Sequence, residues 1–383
     1  MTVIPYGKHF VTEEDIQAVI DVLHSNNLTQ GPKIKEFEKV FAEYVGSRYA
    51  VAVSNGTAAL HLSAMALNVK PGDKVITTPI TFVASANCVR YCGGDVVFAD
   101  IDPETYLLDI KKVKDLLENA PKNTFKGIIP VDYAGYPVNL EEFRQLADEH
   151  GLWILEDACH APGGYFFDRK EHIQRCGNGN FADLSIFSFH PVKHIACGEG
   201  GMITTNNETL YRKLLNLRTH GIQQDYGKLR ENHGPWYYEM HDLGFNYRLT
   251  DIQSALGVSQ LKRAAANLER RHQIAQRYDN ELKYAPIIIP KVKPGIFHAY
   301  HLYVICSEKR DALLKYLRQL NIIVQVHYIP VHYHPYYQKL GWNKGDFPVA
   351  EAFYRKCLSI PIYPTLTDEE QSYVTEKLSA FFN

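Results

Sequence analysis

Lys193 stands between an aromatic, apolar run, Leu184 to Phe189, and a Gly198-Glu199-Gly200-Gly201 turn, with Pro191 just before it. The run before it and Met202-Ile203-Thr204-Thr205 after it read as strands, so the connection is held at both ends by sheet. Crowding and desolvation there lower a lysine's pKa and free the amine for Schiff-base chemistry. An isolated loop lysine more often faces water, so the rest of the chain has to decide. Asp157 ends a second apolar run, Trp153 to Glu156. A carboxylate at the carboxyl edge of a parallel strand sits where open α/β sheets bind ligands. It could hold a ring nitrogen protonated and so make a pyridinium an electron sink, or it could cap the helix that follows. His160, three residues on, is placed to stack on or orient such a ring. Ser54-Asn55-Gly56-Thr57-Ala58 follows a strand and opens a helix, where free N–H groups and positive potential suit a phosphate. Ile80-Thr81-Phe82 brings an aromatic to the same edge.

These residues need a sheet to gather them. From residue 49 to 205, short β-prone runs alternate with helical patterns: Tyr49–Val53, Val75–Thr78, Val96–Ala99, Gly127–Val131, Trp153–Glu156, Leu184–Ser188 and Met202–Thr205. Alternation of this kind predicts an α/β fold, a mostly parallel seven-stranded sheet with helices on both faces. Two amphipathic helices precede it, over 11–24 and from Ile34 to Tyr44. Residues 221–243 are polar, aromatic and irregular, and read as a long surface loop. Long helices over 250–284, strands at His298–Ile305 and Ile322–Tyr328, and helices at 349–357 and 367–382 predict a smaller α+β domain. The expected division is 1–250 and 251–383.

Composition narrows the function classes. The chain has 383 residues, 45% hydrophobic and 22% charged, and 41 basic residues against 43 acidic give a net charge of -2. No basic excess points to nucleic acid or an anionic membrane. No apolar run approaches the roughly 20 residues of a membrane helix. The N-terminus lacks signal-peptide regions. Seven cysteines without a C-x-x-C pair suggest reduced thiols and a cytoplasmic setting. His327, His332 and His334 invite a metal reading. No carboxylate or cysteine nearby completes a set and Pro335 breaks the segment, so they read as pocket or core residues, with no metal expected.

Taken in order, Asn55-Gly56-Thr57-Ala58-Ala59, Thr81-Phe82-Val83-Ala84, Glu156-Asp157-Ala158-Cys159-His160, Phe187-Ser188-Phe189-His190-Pro191-Val192-Lys193 and Gly198-Glu199-Gly200-Gly201 resemble the fold-type-I nucleotide-sugar aminotransferases of the DegT/DnrJ family. The likeness runs nearly end to end. It implies a pyridoxal 5'-phosphate cofactor carried by Lys193, with Asp157 on its pyridine nitrogen. Phe82 and His160 would lie on its two faces, and Thr57, Ala58 and Ser188 would hold its phosphate. The stretch Gly244–Asp251 matches the segment that a neighbouring subunit inserts, so Asn246 and Arg248 would act in trans in a homodimer with shared sites. Some relatives replace the lysine with histidine and dehydrate the sugar. Counted from Phe187-Ser188-Phe189-His190, Lys193 falls at the lysine position and His194 one past it, which implies transamination.

Tyr6, Leu28-Thr29-Gln30-Gly31, Val131–Gly135 and Gln325–Pro330 are similar to blocks of family members that aminate a UDP-linked 4-keto-6-deoxy-N-acetylhexosamine on the route to pseudaminic acid. Glutamate would be the amino donor. By that likeness Tyr6, Leu28, Thr29, Gln30, Gly31, Arg248 and Tyr328 would contact the sugar nucleotide. Two alternatives stay open: another 4-keto or 3-keto sugar, or a non-catalytic regulator that only binds sugar nucleotide. An intact Lys193 and Asp157 weigh against the regulator, since mere binding needs neither.

Overall fold

The structure, a computed structural model, describes residues 3–382. Its central sheet has seven strands: β1 Tyr49–Val53, β2 Lys74–Thr77, β3 Asp95–Phe98, β4 Phe125–Ile129, β5 Trp153–Asp157, β6 Leu184–Ser188 and β7 Gly201–Thr205. Their spatial order is β1-β7-β6-β5-β4-β2-β3. Neighbours from β3 through β6 pair in parallel, and β7 runs antiparallel to both β6 and β1. Helices cover both faces, so Val51, Val53, Ile76, Ile128, Ile154, Leu155 and Ile186 are fully buried. That double burial is why these strands read as continuous apolar runs instead of alternating ones.

The β6 end shows how sequence becomes placement. Alternation along the strand turns Phe187 and Phe189 into the core, where they meet Phe41 at 4.9 and 5.4 Å between ring centroids. Ser188 between them is left facing the other way. Helix Pro32–Val45 supplies Phe37 and Phe41 to this cluster and starts with proline at its first turn, where a missing N–H costs nothing.

A second core holds the C-terminal part together. Ile274, Tyr278, Leu313, Leu317, Leu358, Ile360, Val374 and Leu378 form it, and Ile4 from the N-terminal end joins them. Helix Asp251–Leu261 packs instead on helices Glu13–Leu23 and Pro32–Val45. By packing, that helix sides with the two N-terminal helices.

Three expectations change. Ile322–Tyr328 is extended but forms no continuous strand: Ile322 bridges Ile4, Gln325 bridges Ser359, and the chain then turns toward the sheet edge. In His298–Ile305 only Tyr303–Cys306 is strand, because Ala299 and Leu302 donate to Gly135 and Ala134 instead. Residues 221–243 are not wholly irregular, since Ile222–Gln223 pairs antiparallel with Glu239–Met240. Among the described residues no helix is long and apolar enough to cross a membrane, and all seven cysteines are free.

Candidate functional site

A cavity of about 630 Å³ opens where β1, β5 and β6 end, and Tyr6, Thr57, Ala58, Phe82, Asp157, His160, Ser188, Lys193 and Tyr328 all line it. Residues far apart in sequence thus meet at one sheet edge, as ligand sites of open α/β sheets do.

Lys193 is positioned by a closed loop. Phe189 N–H donates to Gly200 O at 2.8 Å, Cys197 N–H to Phe189 O at 2.9 Å, and Lys193 N–H to His190 O at 2.8 Å. Ile195 and Cys197 are buried beneath it. Burial pushes the Lys193 amine below the usual lysine pKa, against the pull of Cys159 and Asp157. Asp157 Oδ2 accepts from the Ser85 hydroxyl at 2.7 Å and Oδ1 from Cys159 N–H at 3.2 Å. Ser85 in turn contacts Thr81 Oγ1 at 2.7 Å, so a buried hydroxyl chain aims the carboxylate.

His160 is buried, and burial followed by the Lys193 charge holds its pKa well below the ordinary value. The ring is neutral. Its Nδ1 accepts from Ala134 N–H at 3.2 Å, which leaves the proton on Nε2. That Nε2 lies 3.1 Å from the Tyr328 hydroxyl oxygen and donates to it, so the Tyr328 O–H is free to donate into the cavity. Phe82 is 57% exposed, an aromatic ring left open at the cavity wall.

At the helix Gly56–Ala66, Asn55 Oδ1 accepts from Ala58 N–H at 2.8 Å. Ala58 lines the cavity, yet its amide is committed to this cap. The amides left for an anion are those of Gly56 and Thr57, with the Thr57 and Ser188 hydroxyls beside them. A Cβ on Gly56 would come within 3.0 Å of Ser188 Cβ, so a larger residue there would have to push the Ser188 side away.

The remaining expected residues do not line the cavity of their own chain. Leu28, Thr29 and Gln30 are exposed. Gly31 N–H donates to Asp251 Oδ2 at 2.8 Å, and Asp251 N–H to Leu28 O at 3.0 Å. Asn246 is exposed and Arg248 half-buried. Tyr247, between them, lines the cavity instead, and its ring stacks on Phe245 at 4.9 Å. Ser85 and Tyr247 line the cavity without having been singled out from the sequence, whereas Asn55 of the phosphate turn and His327, read as a pocket or core residue, line it as well. Ser85 stands in the first turn of helix Ala84–Tyr91, four residues after Thr81, whose hydroxyl it meets. His332 is buried against Glu351 at 3.1 Å, and His334 is part-exposed.

The arrangement suits pyridoxal phosphate: a fixed carboxylate for a ring nitrogen, an aromatic ring and a neutral imidazole, an open helix N-terminus for a phosphate, and an amine of reduced basicity. Fold and site together define a fold-type-I pyridoxal-phosphate enzyme. The chain belongs to the DegT/DnrJ/EryC1/StrS aminotransferase family, whose profile matches residues 10–379. It is 40% identical over 382 residues to the spore coat polysaccharide biosynthesis protein SpsC of Bacillus subtilis, covering 97% of this chain and 95% of that one. The PLP form of a Streptococcus pneumoniae sugar aminotransferase superposes with a TM-score of 0.89 at 30% identity, covering 99% and 98% of the two chains. PseC of Helicobacter pylori, an aminotransferase of pseudaminic acid biosynthesis, superposes with a TM-score of 0.88 at 32% identity, over 100% and 99%. The protein is a sugar aminotransferase with pyridoxal phosphate as its cofactor.

Proposed function

We propose that the protein transfers an amino group from glutamate to C4 of a UDP-linked 4-keto-6-deoxy-N-acetylhexosamine, in the cytoplasm, on a route to pseudaminic acid or a related surface glycan. The observation that carries the chemistry is Lys193, an amine of lowered basicity lining one cavity with Asp157. The substrate rests on the sequence blocks at Tyr6, Leu28–Gly31 and Gln325–Pro330 and on the likeness to PseC. The relative named for spore coat polysaccharide agrees with a glycan product.

When bound, pyridoxal phosphate supplies an electron sink and carries the amino group between donor and acceptor. Asp157 keeps the ring nitrogen protonated, Phe82 and His160 hold the ring, and Thr57, Gly56 and Ser188 hold the phosphate. Lys193 Nζ gives and takes the proton at the sugar C4, and the face it addresses sets the stereochemistry. Tyr328, with its oxygen already accepting from His160, donates its hydroxyl to the sugar nucleotide, and Tyr6 lines the same wall.

Asn246 and Arg248 serve the neighbouring subunit. Backbone alternation turns Tyr247 into the chain's own cavity and these two away from it. Thr29 bridges Thr250, so Leu28–Gly31 shares their edge and reaches the same neighbouring site. Trp236, Met240 and Leu243, exposed by 74%, 63% and 75%, lie on the arm beside them and suit burial in a dimer. The test is to incubate the protein with glutamate and a panel of 4-keto nucleotide sugars, then locate the new amine by NMR. Amination of a 3-keto sugar, or of none of the 4-keto panel, would overturn the substrate.

A further inference from the structure

Asp132 and Glu156 lie directly behind the cavity, and nothing in the chemistry above uses them. They are 0% and 1% exposed. One oxygen of each is satisfied: Asp132 Oδ1 accepts from Val138 N–H at 2.8 Å, and Glu156 Oε2 from Gly177 N–H at 2.9 Å. Asp132 Oδ2 and Glu156 Oε1 are buried with no hydrogen-bond partner. The two carboxyl groups and Cys176 Sγ offer atoms that all lie within 4.8 Å of one another. The groups that act on the pair are the Cys176 thiol and the Ser185 hydroxyl beside it and, across β5, the charge of Asp157. None is a cation.

Two ionised carboxylates this close, buried and without a counter-charge, would repel each other and forfeit their hydration. A single proton between them removes both penalties, because a protonated carboxyl donates where a carboxylate only accepts. We propose that Asp132 and Glu156 share one proton, joining Asp132 Oδ2 to Glu156 Oε1, and that this acid–carboxylate pair positions Asp157. The main chain gives the link. Asp132 N–H donates to Asp157 O at 3.0 Å, Asp157 N–H to Pro130 O at 2.9 Å, and Glu156 directly precedes Asp157. The pair keeps one negative charge on the side of β5 turned from the cavity. Burial, then the Glu156 charge, raises the Asp132 pKa well above the carboxylate range, and burial raises that of Glu156. Both directions agree with a retained proton. The positioning role rests on Asp157 serving the cofactor ring; the shared proton does not.

The test uses the full chain as wild type, Asp132→Asn, Glu156→Gln and the double variant. Each amide mimics the protonated partner, so the fold should persist. Infrared difference spectra of the cofactor-free protein at neutral pH should show a protonated-carboxyl stretch in wild type that both single variants lose. In the holoenzyme, the pH midpoint of the cofactor's visible absorbance should hold in each single variant, which keeps one charge. It should move to lower pH in the double variant, which keeps none. Were the pair merely structural, the midpoint would not separate single from double variants. Absence of the carboxyl band from wild type, or stoichiometric metal in the purified protein that Asp132→Asn loses, would overturn the shared proton. A double variant that melts like wild type with an unmoved midpoint would overturn the role toward Asp157, leaving the infrared result to stand separately.

Discussion

Replacing Asp251 with alanine tests how the Leu28–Gly31 loop is held. Asp251 is fully buried, and its carboxylate accepts from Gly31 N–H at 2.8 Å and Lys33 N–H at 2.9 Å. Each bond to a charged group is worth about 1.5–3 kcal/mol. The same carboxylate stands at the N-termini of helices Asp251–Leu261 and Pro32–Val45, which adds about 0.3–1 kcal/mol apiece. These contributions share one group and do not sum, so a loss of about 3 kcal/mol is the expected size. With an unfolding entropy of about 2.1 cal/mol/K per residue over 383 residues, that loss lowers the melting temperature by roughly 4 °C. Freed from Asp251, the loop should also raise KM for the sugar nucleotide while leaving the cofactor spectrum and kcat nearly intact. Calorimetry and steady-state kinetics read the two effects. Melting within about 1 °C of wild type, together with an unchanged KM, would refute both the anchoring and the loop's part in binding. Gly31→Ala should copy the phenotype, because its Cβ would sit 2.6 Å from Asp251 Oδ1.

Lys193→Arg should abolish turnover with the melting curve preserved; measurable amination by the purified variant would exclude the lysine's role. A mixture of Lys193→Arg and Arg248→Ala subunits should regain activity that neither has alone, since the proposed shared-site dimer would keep one intact site in each mixed pair; no recovery after subunit exchange would mean that Arg248 serves its own chain or none. Tyr328→Phe leaves the buried His160 N–H unpaired and removes the donor proposed for the substrate, so kcat/KM should fall about tenfold or more. Asp15 is fully buried against Arg263 at 2.7 Å. Burial works to raise its pKa, but the bonds from Arg263, Ser259 and Thr12 outweigh it and leave the value lowered. A lowered folded pKa stabilises above the unfolded value and is lost as pH falls, so the wild-type advantage over Asp15→Asn in urea midpoint should shrink below about pH 4. An advantage that stays constant to pH 3 would contradict that sign.

The local features of this protein were open to reading because their causes are local. Burial on both faces makes β1 to β7 mostly apolar, so strand positions follow from the sequence within a few residues of the observed ends. Gly56 beside Ser188 shows a motif glycine whose reason, space for an approaching strand end, appears only on folding. Ile322–Tyr328 was β-prone and still is not a strand. Its partners meet it only at single points, Ile4 beside Ile322 and Ser359 beside Gln325, and β-propensity needs a continuous neighbour to express it.

What the chain's order of residues determined alone was the α/β class, the strand ends where Asp157, Ser188 and Lys193 sit, and the chemistry an amine and a carboxylate there can perform. Which side chains complete that chemistry was decided by closure over long separations: Ser85 to Asp157 across 72 residues, His160 to Tyr328 across 168, Gly31 to Asp251 across 220. Periodicity and propensity act over a few residues and carry no signal about such distances. Only the packing of helices on the sheet sets them, and that same packing turned Asn246 and Arg248 away from their own cavity and left Asp132 and Glu156 facing each other behind it.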